Sequence, residues 1–165
     1  MIAKTEPAVI DHFAAPWVAE SRYELRPDAR RFENWENAYA LRAGLGAAVR
    51  YALEIGMEDI HARAWALADR LRDGLRRIEG VTLRDAGDTP CAIVSFSMAA
   101  DPSDVVGYLQ ANGIAIGTSA ANSTLLDAKS RNLPTLLRAA PHYYNSEAEI
   151  DDLLRLLKAY RQAAS

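Results

Sequence analysis

The order of the periodic segments after residue 36 constrains the fold of this chain most. Two helical patterns come first, at Asn37–Leu53 and from about Glu58 to Ile78, because their apolar residues recur at steps of three and four. Short apolar runs and two further helices follow them, in the order β-β-α-β-β-α. This order predicts an α+β fold, in which a small, largely antiparallel sheet of three or four strands carries helices packed on one face.

The strands are predicted where apolar residues cluster between turn residues, at 81–85, 91–98, 114–118 and 136–140. A helix that has Asp101 as its N-cap and stops at Gly113 separates the second strand from the third. Ser146, with Glu149 three residues later, is a capping box that opens the last helix. The polar stretch 119–135 is predicted to be a long loop.

Residues 1–35 differ from the rest of the chain, because they are aromatic and rich in proline without a sustained period. Their aromatic residues include Phe13, Trp17, Tyr23, Phe32 and Trp35. One interpretation is an irregular aromatic arm folded over a domain of residues 36–165. The other is a surface that belongs against another domain or subunit. The sequence leaves both interpretations open.

Composition excludes several classes of function. The net charge of −3, without a basic cluster, argues against a nucleic-acid partner, and no apolar run approaches the length of a membrane span. The single cysteine, Cys91, fits a reducing compartment and predicts a cytoplasmic protein; we expect it to be a small apolar strand residue. The histidines, His12, His61 and His142, are too far apart in sequence for metal-ligand spacing.

Arg138 is the strongest candidate in the sequence for a functional residue. It ends an apolar run directly before a Pro-His-Tyr-Tyr-Asn corner. A guanidinium held at the end of a core strand needs a carboxylate, and it can bind one through two parallel hydrogen bonds. The partner is either an Asp or Glu of the last helix or a carboxylate from outside the chain, and spacing alone does not separate these alternatives.

Three stretches resemble the C-terminal small domain of class V aminotransferases, namely RRFENWENAYALRAGLGAAVRYALEIG, CAIVSF and LLRAAPHYYNSEAEIDDLLRLL. That group includes enzymes similar to cysteine desulfurases and to isopenicillin-N epimerase, which depend on pyridoxal 5'-phosphate (PLP). The resemblance implies the C-terminal domain of a transaminase, lyase or epimerase that acts on an amino acid. It also implies that Arg138 binds the α-carboxylate of that substrate, and that Arg31, Trp35, His142 and Tyr143 are candidates for the rim of the site.

The sequence departs from the family pattern at the cofactor. The family's aldimine lysine lies in a large domain, and Lys4, Lys129 and Lys158 do not stand in a comparable stretch. The resemblance therefore implies PLP in the full-length enzyme but none bound to this chain alone, and a non-catalytic fragment whose partners are the missing large domain and a second copy in a homo-oligomer. The loop Ser119–Thr135 lacks the sulfur-accepting cysteine of desulfurases, which disfavours desulfuration through a persulfide.

A hypothesis from a different class is a standalone ferredoxin-like module that binds a small ligand or regulates another protein without catalysis. It explains the α+β order without any chemistry, and Arg138 would then be an effector-binding or structural residue. The Arg31-Phe32-Glu33 stretch and the helical pair before the first strand argue against it.

Overall fold

The computed structural model describes residues 2–163, and the chain divides into two compact units, Met1–Tyr51 and Ala52–Ser165. The first unit contains a small hairpin, in which strand β1 (Trp17–Ala19) pairs antiparallel with β2 (Arg22–Tyr23). One 3-10 turn precedes this hairpin and another follows it, at Ile2–Lys4 and Ala29–Phe32. The predicted arm therefore has regular structure that the sequence did not indicate, because strands of two or three residues are too short to show an alternating pattern.

Two long helices follow, α1 (Tyr39–Ile55) and α2 (Met57–Leu75). Gly56 separates them with a φ of 102°, a conformation that residues with a Cβ rarely adopt. The two helices begin within two residues of the predicted positions. They differ in burial, because α1 has no buried residue, whereas α2 buries the apolar face that the sequence predicts.

The second unit is built on one four-stranded sheet. Its strands are β3 (Val81–Leu83), β4 (Val94–Met98), β5 (Gly117–Ser119) and β6 (Leu136–Ala139). They lie in the order β3-β4-β6-β5, and all neighbouring strands are antiparallel. The helices of this part are α2, α3 (Pro102–Ala111), α4 (Leu125–Ser130) and α5 (Glu147–Ala163). The predicted fold class is confirmed.

Alternation along the two central strands gives the sheet one apolar face. Val94 and Phe96 of β4 and Leu137 and Ala139 of β6 are buried together with residues of α2, α3 and α5. The helices approach closely there, since a Cβ at Gly74 of α2 would lie 2.1 Å from a methyl carbon of Leu154. On β4 and β6, the residues that alternate with the buried ones point to the opposite face of the sheet, which we call the open face.

The elements that differ from the sequence prediction include two strands and the stretch 119–135. β4 begins at Val94 rather than Cys91, because the carbonyl of Cys91 accepts a hydrogen bond from Arg72 on α2 instead of joining the sheet. β5 begins at Gly117 rather than at residue 114. The stretch 119–135 was predicted to be a loop, but it contains the short helix α4, whose six residues are too few to establish a helical period.

Candidate functional site

Arg138 lies on the open face of the sheet, between two buried residues of β6. Its cross-strand neighbours are Ser95 on β4 and Gly117 on β5. Cross-strand neighbours point to the same face, so the side chains of Ser95 and Arg138 stand beside each other. At Gly117 no side chain competes for this space, and Nη2 of Arg138 lies 3.9 Å from where a Cβ would stand.

The guanidinium of Arg138 has no carboxylate partner within residues 2–163. The ion pairs that α5 makes in this part of the chain join it to other arginines, such as Arg63 with Glu147 and Arg70 with Asp151. The alternative in which a carboxylate of the last helix neutralises Arg138 is therefore not the arrangement of this structure. Arg138 is exposed and positioned to accept an anion from outside.

A second arginine stands in the same transverse row of the sheet. Arg84 follows β3 and continues its pairing with β4, since its N–H donates to the carbonyl of Ser95 at 2.7 Å. Its Nε donates to the hydroxyl of Ser97 at 2.9 Å. Arg84, Ser95, Arg138 and Gly117 thus cross the open face in one row.

A cavity of about 270 Å³ opens on this face beside the row. Its floor is formed by Ser95, Ser119 and Leu136, whose positions in the strands place them on the open face. Its walls come from the loop after β3 and from the α4 region. The residues that complete the lining are Arg84, Asp85, Ala86, Pro90, Cys91, Ile93, Thr124, Asp127, Arg131 and Leu133.

A buried ion pair holds the loop wall of this cavity. Arg72 of α2 is only 4% exposed, and its Nε donates to Asp85 at 2.8 Å. Its Nη2 donates to the carbonyls of Cys91 and Ile93, while the other oxygen of Asp85 accepts the N–H of Ser95. These bonds connect helix, loop and sheet, and they give the loop a defined position.

Cys91 was expected to be a small apolar strand residue, and this prediction is wrong. The structure places it in the loop before β4, where it is exposed and lines the cavity. Its Sγ lies 3.8 Å from the carbonyl of Ile93. The loop conformation is set by Arg72, a contact across 19 residues that no local pattern reveals.

The corner after β6 forms a cluster of three rings. The ring of His142 lies 4.6 Å from that of Tyr143 and stacks on Tyr144 at 4.8 Å. Asn145 closes the turn, because its Oδ1 accepts the N–H of His142 at 2.8 Å. These contacts explain the shape of the corner, and the rim roles of His142 and Tyr143 stay predictions.

The other two rim candidates, Arg31 and Trp35, belong to the first unit. Arg31 is buried, and its guanidinium donates to the carbonyls of Ile2, Thr5 and Arg26. The ring of Trp35 stacks on His12 at 4.9 Å, and its backbone N–H donates to Asp11 at 2.5 Å. This hydrogen bond is the main reason that the pKa of Asp11 is lowered. These contacts are structural, and the rim roles of both residues stay predictions.

A larger opening of about 420 Å³ lies on the helix side of the second unit, between the segment before β5 and α5. Its charged and amide side chains are already engaged. Asn145 donates to Glu149 at 3.3 Å, and Arg155 pairs with Asp152 at 3.0 Å. The open face therefore offers the better candidate site, because Arg84 and Arg138 have no carboxylate partner among the described residues.

The lysines of the chain are surface residues. Lys4, Lys129 and Lys158 are all exposed, whereas a Schiff-base lysine is activated by a desolvated or cationic pocket. Within residues 2–163, no group of histidine, cysteine, aspartate and glutamate side chains has the geometry of a metal site. None of the helices in this range is long and apolar enough to cross a membrane.

Comparison with known proteins identifies the family. A probable cysteine desulfurase from Synechocystis sp. is 36% identical over 140 residues, which cover 78% of this chain and 31% of that protein. An apo cysteine desulfurase from Thermococcus onnurineus NA1 superimposes with a TM-score of 0.79 at 25% identity, over 95% of this chain and 40% of that one. Another similar structure is a mutant of C-DES, a cystine C-S lyase, with glycine covalently linked to its PLP cofactor. It has the same fold over 91% of this chain and 37% of its own, at a TM-score of 0.65 and 24% identity.

This chain thus spans about a third of the length of the curated relative and two fifths of the first of these structures. The family model for class-V aminotransferases matches residues 15–153, which is most of the chain. The chain belongs to the class-V aminotransferase family.

Proposed function

We propose that this chain provides the substrate-carboxylate site of a PLP-dependent enzyme that acts on an amino acid. The observation that carries the proposal is the guanidinium of Arg138, which is exposed on the open sheet face and has no carboxylate partner in the described part of the chain. A planar guanidinium binds a carboxylate through two parallel charge-assisted hydrogen bonds, and this fixes the orientation of the ligand as well as its charge.

The geometry around Arg138 favours this role. The flanking residues of β6 are packed in the core, so the Cα of Arg138 is held by the sheet on both sides. Gly117 leaves room beside the guanidinium, and Ser95 places a hydroxyl next to it. A rigid cation beside a hydrogen-bonding hydroxyl positions a small anionic group better than a flexible surface arginine does.

PLP would supply the electron sink for bond cleavage next to the amino group. The exposure of all three lysines supports a cofactor site outside this chain, because a Schiff-base lysine is activated by a desolvated or cationic pocket. We therefore propose that the cofactor and its lysine are held by a large domain outside this chain, as the family resemblance implies, and that this chain alone binds the carboxylate without catalysing a reaction.

The reaction is proposed at the level of a transaminase, lyase or epimerase. The names of the relatives suggest cysteine desulfuration. Desulfuration through a persulfide needs a thiolate close to the substrate. The loop Ser119–Thr135, where the family resemblance implies that thiol, has no cysteine, and the exposed Cys91 lines the cavity from a different loop, the one before β4. That route stays disfavoured as a prediction.

The test compares L-alanine with L-alaninamide, which lacks the carboxylate, in an NMR titration of the isotope-labelled full chain. We expect alanine to shift the amide signals of Ser95 and Gly117, and we expect alaninamide to leave them in place. Arg138→Gln should weaken alanine binding at least about tenfold, because a charge-assisted hydrogen-bonded pair is lost. Arg77→Gln serves as the matched control, since Arg77 is an exposed arginine outside the site.

Two results would contradict the proposal. Alaninamide could shift the same signals at the same concentration, which would show that the carboxylate is not recognised. Alternatively, Arg138→Gln could fold normally by circular dichroism and bind alanine as tightly as the unchanged chain, which would remove Arg138 from the site.

A further inference from the structure

We infer that the cavity on the open sheet face binds the side chain of the substrate amino acid. The cavity selects an anionic side chain, and Arg84 is the residue that recognises its charge. This inference rests on the proposed function, because it assumes that Arg138 binds the α-carboxylate. It adds the substrate class, namely acidic amino acids of the size of aspartate or glutamate.

The first support is position. Arg84 and Arg138 stand in one transverse row with Ser95 between them, so their Cα atoms lie two strand spacings apart, or about 10 Å. Both side chains are long and flexible, so the two guanidinium groups can lie closer together or further apart than their Cα atoms. Two carboxylates of one small molecule can therefore be held by the two guanidinium groups above the same sheet face.

The second support is the charge of the cavity lining. Its two carboxylates are already engaged, because Asp85 pairs with the buried Arg72 at 2.8 Å and Asp127 pairs with Arg131 at 3.1 Å. Arg84 is half-buried, and the partner of its side chain in residues 2–163 is the neutral hydroxyl of Ser97. Among the charged residues of the lining, Arg84 is thus the one whose side chain forms no ion pair within residues 2–163.

The third support is the chemistry of the remaining walls. Ser95, Ser119 and Thr124 present hydroxyl groups to the cavity, and within the described residues these hydroxyls make no hydrogen bond. Hydroxyl donors and a guanidinium are the groups that bind carboxylate oxygens. Leu133 and Leu136 provide apolar surface for the methylene carbons of such a side chain.

The size of the cavity agrees with a short side chain. Its volume of about 270 Å³ is below the range of roughly 300–1,000 Å³ that is usual for pockets of drug-sized ligands. Its loop wall is fixed by the Arg72–Asp85 pair, so the cavity is present before a ligand binds.

The test compares L-glutamate with L-glutamine, which has the same size and an uncharged side chain, by NMR titration of the full chain. We expect glutamate to bind about tenfold more tightly than glutamine and to shift the amide signals of Ser119 and Thr124. Arg84→Gln should remove this preference. Arg84→Lys, which keeps the charge, should retain part of the preference, and Arg77→Gln should retain all of it.

Each outcome decides between the two proposals. If glutamate and glutamine bind equally and Arg138→Gln abolishes both, the carboxylate site stands and the assignment of Arg84 is wrong. If the preference for glutamate survives in a folded Arg84→Gln chain, another group recognises the side chain, and the inference is again wrong. If neither amino acid shifts signals in a manner that depends on Arg138, both the inference and the proposed function fail.

Discussion

Two arginines of the second unit show how burial determines the role of a guanidinium. Arg72 is almost fully buried, and its guanidinium donates four hydrogen bonds, to two carboxylates and two carbonyls. Arg138 is exposed on a core strand without a carboxylate partner among the described residues. The first arrangement stabilises the loop that carries Cys91, and the second leaves binding capacity for a ligand.

At the residue scale, we expect Arg72→Met to destabilise the chain by about 3 kcal/mol, because it leaves Asp85 without its buried partner and two carbonyls without a donor. The free energy of unfolding from urea denaturation measures the effect. Arg76→Met is the matched control: Arg76 lies one turn later, its pair with Asp73 is exposed, and the change should be within about 0.5 kcal/mol. Equal effects of the two substitutions would contradict a structural role for the buried pair.

At the scale of elements, α2 and α5 are joined by ion pairs at their exposed edges. Arg63 of α2 forms a two-pronged pair with Glu147 at the first turn of α5, and its Nη2 also donates to the carbonyl of Asn145 at 3.0 Å. Arg70 pairs with Asp151 one turn further along. The hydrogen bonds from Arg63 are the main reason that the pKa of Glu147 is lowered to about 2.

We therefore expect Arg63→Gln to raise the pKa of Glu147 towards its usual value of 4.5. Because the pKa is depressed in the folded chain, the pair adds stability above about pH 4.5, and this contribution is lost as the pH falls towards 2. Titration of the side-chain carboxyl carbons by NMR measures the shift. The control is Glu149, whose pKa is lowered mainly by the N–H of Ser146 and should not respond. A Glu147 pKa that stays near 2 in the variant would contradict this account.

The same elements show which parts of the structure can be predicted from sequence. The capping box of α5 is local, and the structure has both of its bonds, from Ser146 N–H to Glu149 and from Glu149 N–H to Ser146. The helical pattern of α2 is also local, since its period alone identifies the buried face. Short elements such as α4 and the hairpin β1–β2 contain too few residues for a period.

The residues of the candidate site also fall into two groups, those that can be predicted from the sequence and those that cannot. Arg138 can be selected from the sequence, because an arginine at the end of an apolar run contradicts the local pattern. Its neighbours Ser95 and Arg84 cannot be selected, since they are brought to it by strand register across more than 40 residues. Register depends on the packing of the whole sheet, so no local pattern contains it.

At the scale of the whole molecule, the apolar surface of α1 needs a partner. This helix has 17 residues and no buried one, yet it carries six large apolar side chains that are exposed, namely Tyr39, Leu41, Leu45, Val49, Tyr51 and Leu53. In proteins most of the stability of a helix comes from the packing of its apolar face, and exposed apolar surface of this extent usually marks an interface. We propose that a large domain covers α1 in the complete enzyme and that a second copy covers it in the isolated chain.

We therefore expect the isolated chain to self-associate, and we expect Leu41→Gln combined with Leu45→Gln to raise the dissociation constant at least about tenfold. Sedimentation velocity over a range of concentrations measures the association. Leu126→Gln on α4 is the matched control, because Leu126 is even more exposed than Leu41, at 87% against 75%, but lies outside the α1 surface. A chain that sediments as a monomer at every concentration would show that α1 tolerates exposure. An equal effect of Leu126→Gln would show that the association is non-specific, because it would then depend on exposed apolar area wherever it lies rather than on one surface.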